Sequence, residues 1–250
     1  MNELMSWQSY SAFQRAVKNG NRFFHGGDTE QFLNIVLSTS GNRKLNLPKG
    51  SHLWRARLGQ GWKPVHKDGE HIADTPAPFK RERMKTLKNK TAEGRTNFKV
   101  IPYLYLASTK ETAMIEVRPW LGSKISVGQF RLDKDIILID CSDSRGVICW
   151  YTEEPSAQEK EEAVWADISG TFSKPVTDND KIADYVQAQI IAEIFKKQGF
   201  DGIVYKSIFG EGYNVVMFEM DTATLVNCFL YEVKRLTFDF QKTGNSYFLK

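Results

Sequence analysis

The sequence predicts an α+β fold, and three observations carry that prediction. Strand-like apolar runs and amphipathic helical stretches are mixed without regular βαβ alternation. No internal repeat or low-complexity linker divides them. A chain of 250 residues, 41% hydrophobic and 26% charged, suits one large domain with a buried core, or a domain with an appendage. The longest apolar runs, "DIILI" and "NVVMF", fall far short of the roughly 18 residues a membrane span needs. The N-terminal "MNELMSWQSYSAF" has no basic segment followed by an apolar one. These features predict a cytosolic protein with no membrane segment.

Residues 1–49 read as a helical extension. Trp7, Tyr10, Phe13 and Val17 recur at helical spacing up to Gly20, and "DTEQFLNIVL" starts with Asp28 as an N-cap and Gln31 at the capping-box position. "NLPKG" is a turn. "SHLWRARL" alternates as a strand, with Leu53, Arg55 and Arg57 on one face and Trp54 and Ala56 on the other. Two arginines beside a leucine mean a wet face or a polar site. Residues 60–93, rich in Gly, Pro and Lys, read as an insertion with some helix from Arg81 to Lys88.

"VIPYLYLAS" is the next strand, and Ser108 with Glu111 makes a capping-box start for the helix "TKETAMIEV". Pro119 stops that helix by disfavouring the α conformation at Arg118. Strands follow in "SVGQFRL" and "DIILID". A long helix starting near Asp178 or Asp180 puts Ile182, Val186, Ile190 and Ile194 on one stripe until Gly199. Then come the strand "DGIVYKS", the Gly-rich turn "FGEGY" and the strand "NVVMFEM".

The formal charge of +4 is unevenly spread. Between Phe79 and Lys99 eight Lys or Arg face two Glu, a local +6, while Glu153 to Asp167 holds six acids and one lysine. Such a basic run is a solvated face or a phosphate or nucleic-acid contact. Cys141, Cys149 and Cys228 match neither a zinc site nor a disulfide scaffold and read as buried thiols in a reducing compartment. His66 and His71, five residues apart without a Cys or Asp cluster, do not make a metal site. There is no P-loop, GxSxG, HExxH or dinucleotide fingerprint.

What stands out are polar residues where the local pattern favours apolar ones: Arg55 in a strand, Arg95 and Asn97 before one, Tyr105 inside one, Glu116 on a helix, and Ser207 and Asn214 flanking a Gly turn. Singly, each has a structural explanation: a buried ion pair, a core aromatic, a turn residue or a cap.

Together the pieces "LWRAR … GRTN … YLYLASTKETAMIEV … GFDGIVYKSIFGEGYNVVMF" resemble the RES-domain family, named for its Arg, Glu and Ser. The resemblance runs from Leu53 to about Glu219. It leaves the N-terminal extension outside and makes residues 60–93 a basic insertion in a RES domain of residues 50–250. It implies a core like that of ADP-ribosyltransferase-fold toxins, a mixed sheet with flanking helices.

The resemblance further implies NAD as substrate, no metal, and an Xre-type antitoxin as partner. By it, Arg55 is the family arginine, Glu116 the glutamate, Ser207 the serine and Tyr105 the strand tyrosine. Arg55, Tyr105, Arg95, Asn97, Ser207 and Asn214 would bind NAD, with Arg57 as another phosphate contact, and Arg55, Glu116 and Ser207 would serve catalysis. The implied reaction is cleavage of the nicotinamide–ribose bond by water or phosphate. The alternatives are protein ADP-ribosylation at the same site, or a basic nucleic-acid-binding module built on an inactive RES core.

Overall fold

Alternate residues of a strand face opposite sides of its sheet. In this chain both alternating sets are largely apolar, so both sides must be covered. The computed structural model describes residues 6–20, 26–85, 94–99, 101–142, 154–174 and 185–244. In chain order the elements are α1 (Ser9–Asn19), α2 (Gly27–Ser40), β1 (Lys44–Leu47), β2 (His52–Leu58), β3 (Gly61–Lys67), β4 (Glu70–Ala77), α3 (Arg81–Met84), β5 (Leu104–Ala107), α4 (Lys110–Glu116), β6 (Lys124–Leu132), β7 (Ile136–Asp140), α5 (Ala157–Ser173), α6 (Val186–Lys197), β8 (Gly202–Lys206), β9 (Tyr213–Met217) and β10 (Ala223–Glu232).

Eight strands form one mixed sheet in the order β1-β7-β8-β9-β5-β2-β6-β10, and only the β7–β8 pair is parallel. This is the α+β architecture the sequence predicts. The ladder between β2 and β5 is a single pair, Trp54 opposite Ala107. Beyond it the two strands part, so a five-stranded and a three-stranded portion meet at one rung.

One face of the larger portion is buried under α1, α2, α5 and α6. Phe13, Phe32, Trp165, Phe172 and Phe195 join Ile139, Ile203 and Val216 in one cluster. The Phe13 and Phe32 rings stack at 4.9 Å between centroids. The N-terminal helices thus belong to the main helical layer, and β1 is an edge strand of the main sheet. On the same face, α4 alone covers the other end, where Ala113 packs with Ala56, Ala107 and Val127. The opposite face buries Leu53, Leu104, Phe130 and Met217, closed by Phe79 and Met84.

Several elements differ from the sequence reading. Residues 61–77, part of the stretch that reads as an insertion, form a separate two-stranded hairpin of β3 and β4. Its turn is Asp68–Gly69, both at positive φ, a conformation that suits Gly and tolerates Asp. Pro64 and Pro76 sit within this two-stranded sheet, which has room at its edges for residues without an N–H. The helix expected from Arg81 to Lys88 is described only from Arg81 to Met84, and residues 86–93 lie outside the described set.

Gly26, not Asp28, is the N-cap of α2, with Asp28 in the first turn. The cap of α4 is Thr109, one residue beyond Ser108. Its side chain accepts from the Thr112 backbone N–H at 3.1 Å, while Ser108 Oγ accepts from Tyr213 N at 2.9 Å. α5, β1 and β10 are additional to the sequence reading. The expected helix starts at Asp178 or Asp180 lie outside the described residues, where α6 begins at Val186.

Arg118 takes φ +47, outside the right-handed α conformation that Pro119 disfavours at that position. Cys141 is buried and Cys228 partly buried; burial raises both thiol pKa values. Cys149 lies outside the described residues. His66 and His71 pair across the hairpin, and no group of three or more metal-ligating side chains occurs among the described residues. No described helix is long and apolar enough to cross a membrane.

Candidate active site

A cleft of about 310 Å³ opens between the two helical covers, lined by Trp54, Arg55, Tyr105, Glu116, Tyr205 and Asn214 among others. Its floor is one cross-strand row, because Trp54 pairs with Ala107, Ala107 with Asn214 and Asn214 with Tyr205. All four therefore point to the same side of the sheet. A larger concavity, about 740 Å³, lies between α1 and α2 and contains none of the site residues named from the sequence.

Glu116 ends α4 at the edge of the floor. Its Oε1 accepts from Ser207 Oγ at 2.6 Å and from Asn214 Nδ2 at 2.7 Å. Oε2 has no donor among the described residues. Ser207 stands just past the end of β8 and is 2% exposed, and its oxygen also accepts from the Phe209 backbone N–H at 3.2 Å. Arg118, two residues past Glu116, lies 5.0 Å over the Phe209 ring and so ties the end of α4 to the Gly turn. The carboxylate is held by neutral donors in a fixed orientation.

Arg55 occupies the place where β2 and β5 part, and its guanidinium reaches the Tyr105 carbonyl in a long contact of 3.5 Å. Burial, and then the charge of Arg57, lower its pKa to about 10, which leaves it cationic at neutral pH. Arg57 turns to α3 and donates to the carbonyls of Arg83 at 2.5 Å and Lys85 at 3.4 Å.

Tyr105 is fixed by the segment before β5. Its hydroxyl has one proton, which it donates to Asn97 Oδ1 at 2.6 Å, so the Thr96 hydroxyl, also at 2.6 Å, donates to it. Burial raises the phenol's pKa, opposed by Thr96 and by the charges of Arg95 and Arg55. Gly94 is required here: a Cβ would meet Asn97 Oδ1 at 2.5 Å and Tyr105 Oη at 2.8 Å. From α6 the fully buried Gln189 donates to the carbonyls of Gly94 at 2.9 Å and Asn97 at 3.2 Å, which anchors the segment.

The residues named from the sequence thus fall into two groups. Arg55, Tyr105, Glu116 and Asn214 line the cleft, with Ser207 bonded to Glu116. Arg95 and Asn97 stand behind it: Arg95 donates to the Phe172 carbonyl and Asn97 holds Tyr105. Trp54, Tyr205, Thr96 and Gln189 were not singled out. Tyr205 lies on β8 two residues before Ser207, and Trp54 adjoins Arg55 on β2.

The RES domain family description matches residues 52–240, about three quarters of the chain. The chain belongs to the RES-domain family. Residues 1–51 and 241–250 of this RES protein lie outside the matched region. No curated protein matches it. Among solved structures it is similar to a chain of the M. tuberculosis MbcT–MbcA toxin–antitoxin complex, at 12% identity, with 78% of this chain and 91% of that chain covered and a TM-score of 0.38.

Proposed function

We propose that this RES-domain protein is a toxin that consumes NAD by cleaving the nicotinamide–ribose bond, with water or phosphate as acceptor, and that an Xre-type antitoxin partner restrains it. The observation that carries the reading is a carboxylate, Glu116, oriented by Ser207 and Asn214 on a cleft that also presents the Arg55 guanidinium and aromatic walls. Family membership supports it, and the antitoxin rests on family membership alone.

The chemistry fits these groups. Nicotinamide is already a cationic pyridinium in NAD, so it leaves as a neutral ring with the electron pair of the C1′–N bond and needs no general acid. Positive charge then develops on the ribose. A fixed carboxylate stabilises it and orients the acceptor, which bonds to C1′ and gives up a proton. Arg55 offers a permanent cation to the diphosphate, and Trp54 and Tyr105 offer ring faces to nicotinamide. A volume of about 310 Å³ lies at the small end of ligand sites. It suits the nicotinamide-riboside half of the dinucleotide, with the adenosine half reaching outward past Arg55. Asn97 and Arg95 act by holding Tyr105 and its surroundings.

The test is to incubate the purified protein with NAD, with and without phosphate, and to follow free nicotinamide and the ADP-ribose product. Release of nicotinamide is expected, and a phosphate requirement identifies phosphorolysis. Label from NAD transferred to protein identifies ADP-ribosylation at the same site. No nicotinamide release under any condition overturns the reading.

A further inference from the structure

The two tyrosines of the cleft wall are treated differently by their surroundings. The Tyr105 hydroxyl is fully committed, donating to Asn97 and accepting from Thr96. Tyr205 is 8% exposed, yet its hydroxyl makes no hydrogen bond to any described residue. Tyr205 lines the cleft, and its oxygen is not among the sealed, unpartnered polar atoms of the described core. A buried phenol ordinarily finds a partner for its O–H, and here the described residues supply none.

Register fixes where this hydroxyl acts. Tyr205 lies directly opposite Asn214 across β8 and β9, and Asn214 donates to Glu116 Oε1 at 2.7 Å. Tyr205 therefore stands beside the carboxylate, on the same side of the sheet, with a longer side chain than Asn214. Its ring packs against Phe172 at 6.1 Å between centroids, so the ring accounts for the packing while the hydroxyl is left over.

Resting on the NAD reading above, we infer that Tyr205 is a substrate-binding residue whose hydroxyl hydrogen-bonds the nicotinamide-riboside half of the dinucleotide next to Glu116. Tyr105 supplies a ring face, and Tyr205 supplies the polar contact that fixes the sugar or the amide relative to the carboxylate.

Tyr205→Phe removes that oxygen alone and leaves no protein group unpaired, so the fold should not register the change. The test measures nicotinamide release by the full chain, NAD affinity by calorimetry in the Glu116→Gln background, and thermal melting. Tyr205→Phe should raise KM and Kd for NAD about five- to tenfold, the effect of one hydrogen bond, with an unchanged Tm. Tyr105→Phe, which strands two polar partners, should lower Tm. Unchanged KM, kcat and Kd in Tyr205→Phe overturn the inference while wild-type cleavage keeps the NAD reading intact. A lowered Tm with unchanged affinity overturns it as well, by revealing a protein partner. A wild-type chain that neither binds nor cleaves NAD removes both.

Discussion

The four-helix cover and the lone helix α4 lie on the same face of one sheet and differ in what they press against it. Under α1, α2, α5 and α6 the contacts are large rings and branched aliphatics, and Trp165, Phe172 and Phe195 are at most 1% exposed. Under α4 the buried cluster is smaller and carries three alanines, Ala56, Ala107 and Ala113, beside Ile125 and Val127. Large side chains fill space to crystal-like density. The cleft opens beside the seven-residue α4, and Arg55, Glu116 and Asn214 are among the residues that line it. On the proposed reading the packed region sets stability and the cleft sets chemistry, so substitutions should separate the two.

The sharpest separation is Glu116→Gln, which keeps shape and removes charge. Nicotinamide release should fall by about 10³-fold or more, with Tm within about 2 °C of wild type. Retained turnover breaks the assignment. In the packed region Phe195→Ala should cost about 3–5 kcal/mol in denaturant unfolding, with kcat per folded molecule unchanged. Gln189→Met couples the regions: it removes the side-chain donor to the Gly94 carbonyl and one of two donors to the Asn97 carbonyl, which keeps the Gly94 N–H, and should cost about 1–3 kcal/mol. Through Tyr105 it should also raise KM for NAD, and an unchanged KM would show that the anchor serves stability alone. Thr109→Ala, which uncaps α4, should cost about 1 kcal/mol, readable as a lower Tm. Trp62→Ser on the exposed hairpin should stay within about 0.5 kcal/mol and leave turnover alone; a large loss would place the hairpin in the fold's core energetics.

The site was legible where a residue broke its local pattern. Arg55 in an alternating strand and Glu116 at a helix end are out of place unless something polar faces them, and both line the cleft. Trp54 and Tyr205 gave no such contrast, because an aromatic residue in an apolar strand reads as core. Tyr205 packs by its ring against Phe172 and also lines the cleft. Arg95 and Asn97 were legible as unusual, but that they support Tyr105 from behind depends on a Gln189 contact 92 residues away in sequence.

Among the elements, α5 carried a capping box, Ser156 with Glu159, that the structure forms in full. Its acidic content disguised a helix whose inner side buries Trp165 and Ile168. β10 escaped because its register shifts between Leu225 and Asn227, which breaks the alternation that marks a strand. β1 has only four residues.

The solitary rung between Trp54 and Ala107 carries one more consequence. The cleft straddles that rung, with Tyr205 and Asn214 on the five-stranded portion and Arg55 on the three-stranded one. Helix α4 packs on β2 and β6 as well as on β5 and β9, so the helix that ends in Glu116 bridges the join and holds the carboxylate against both portions.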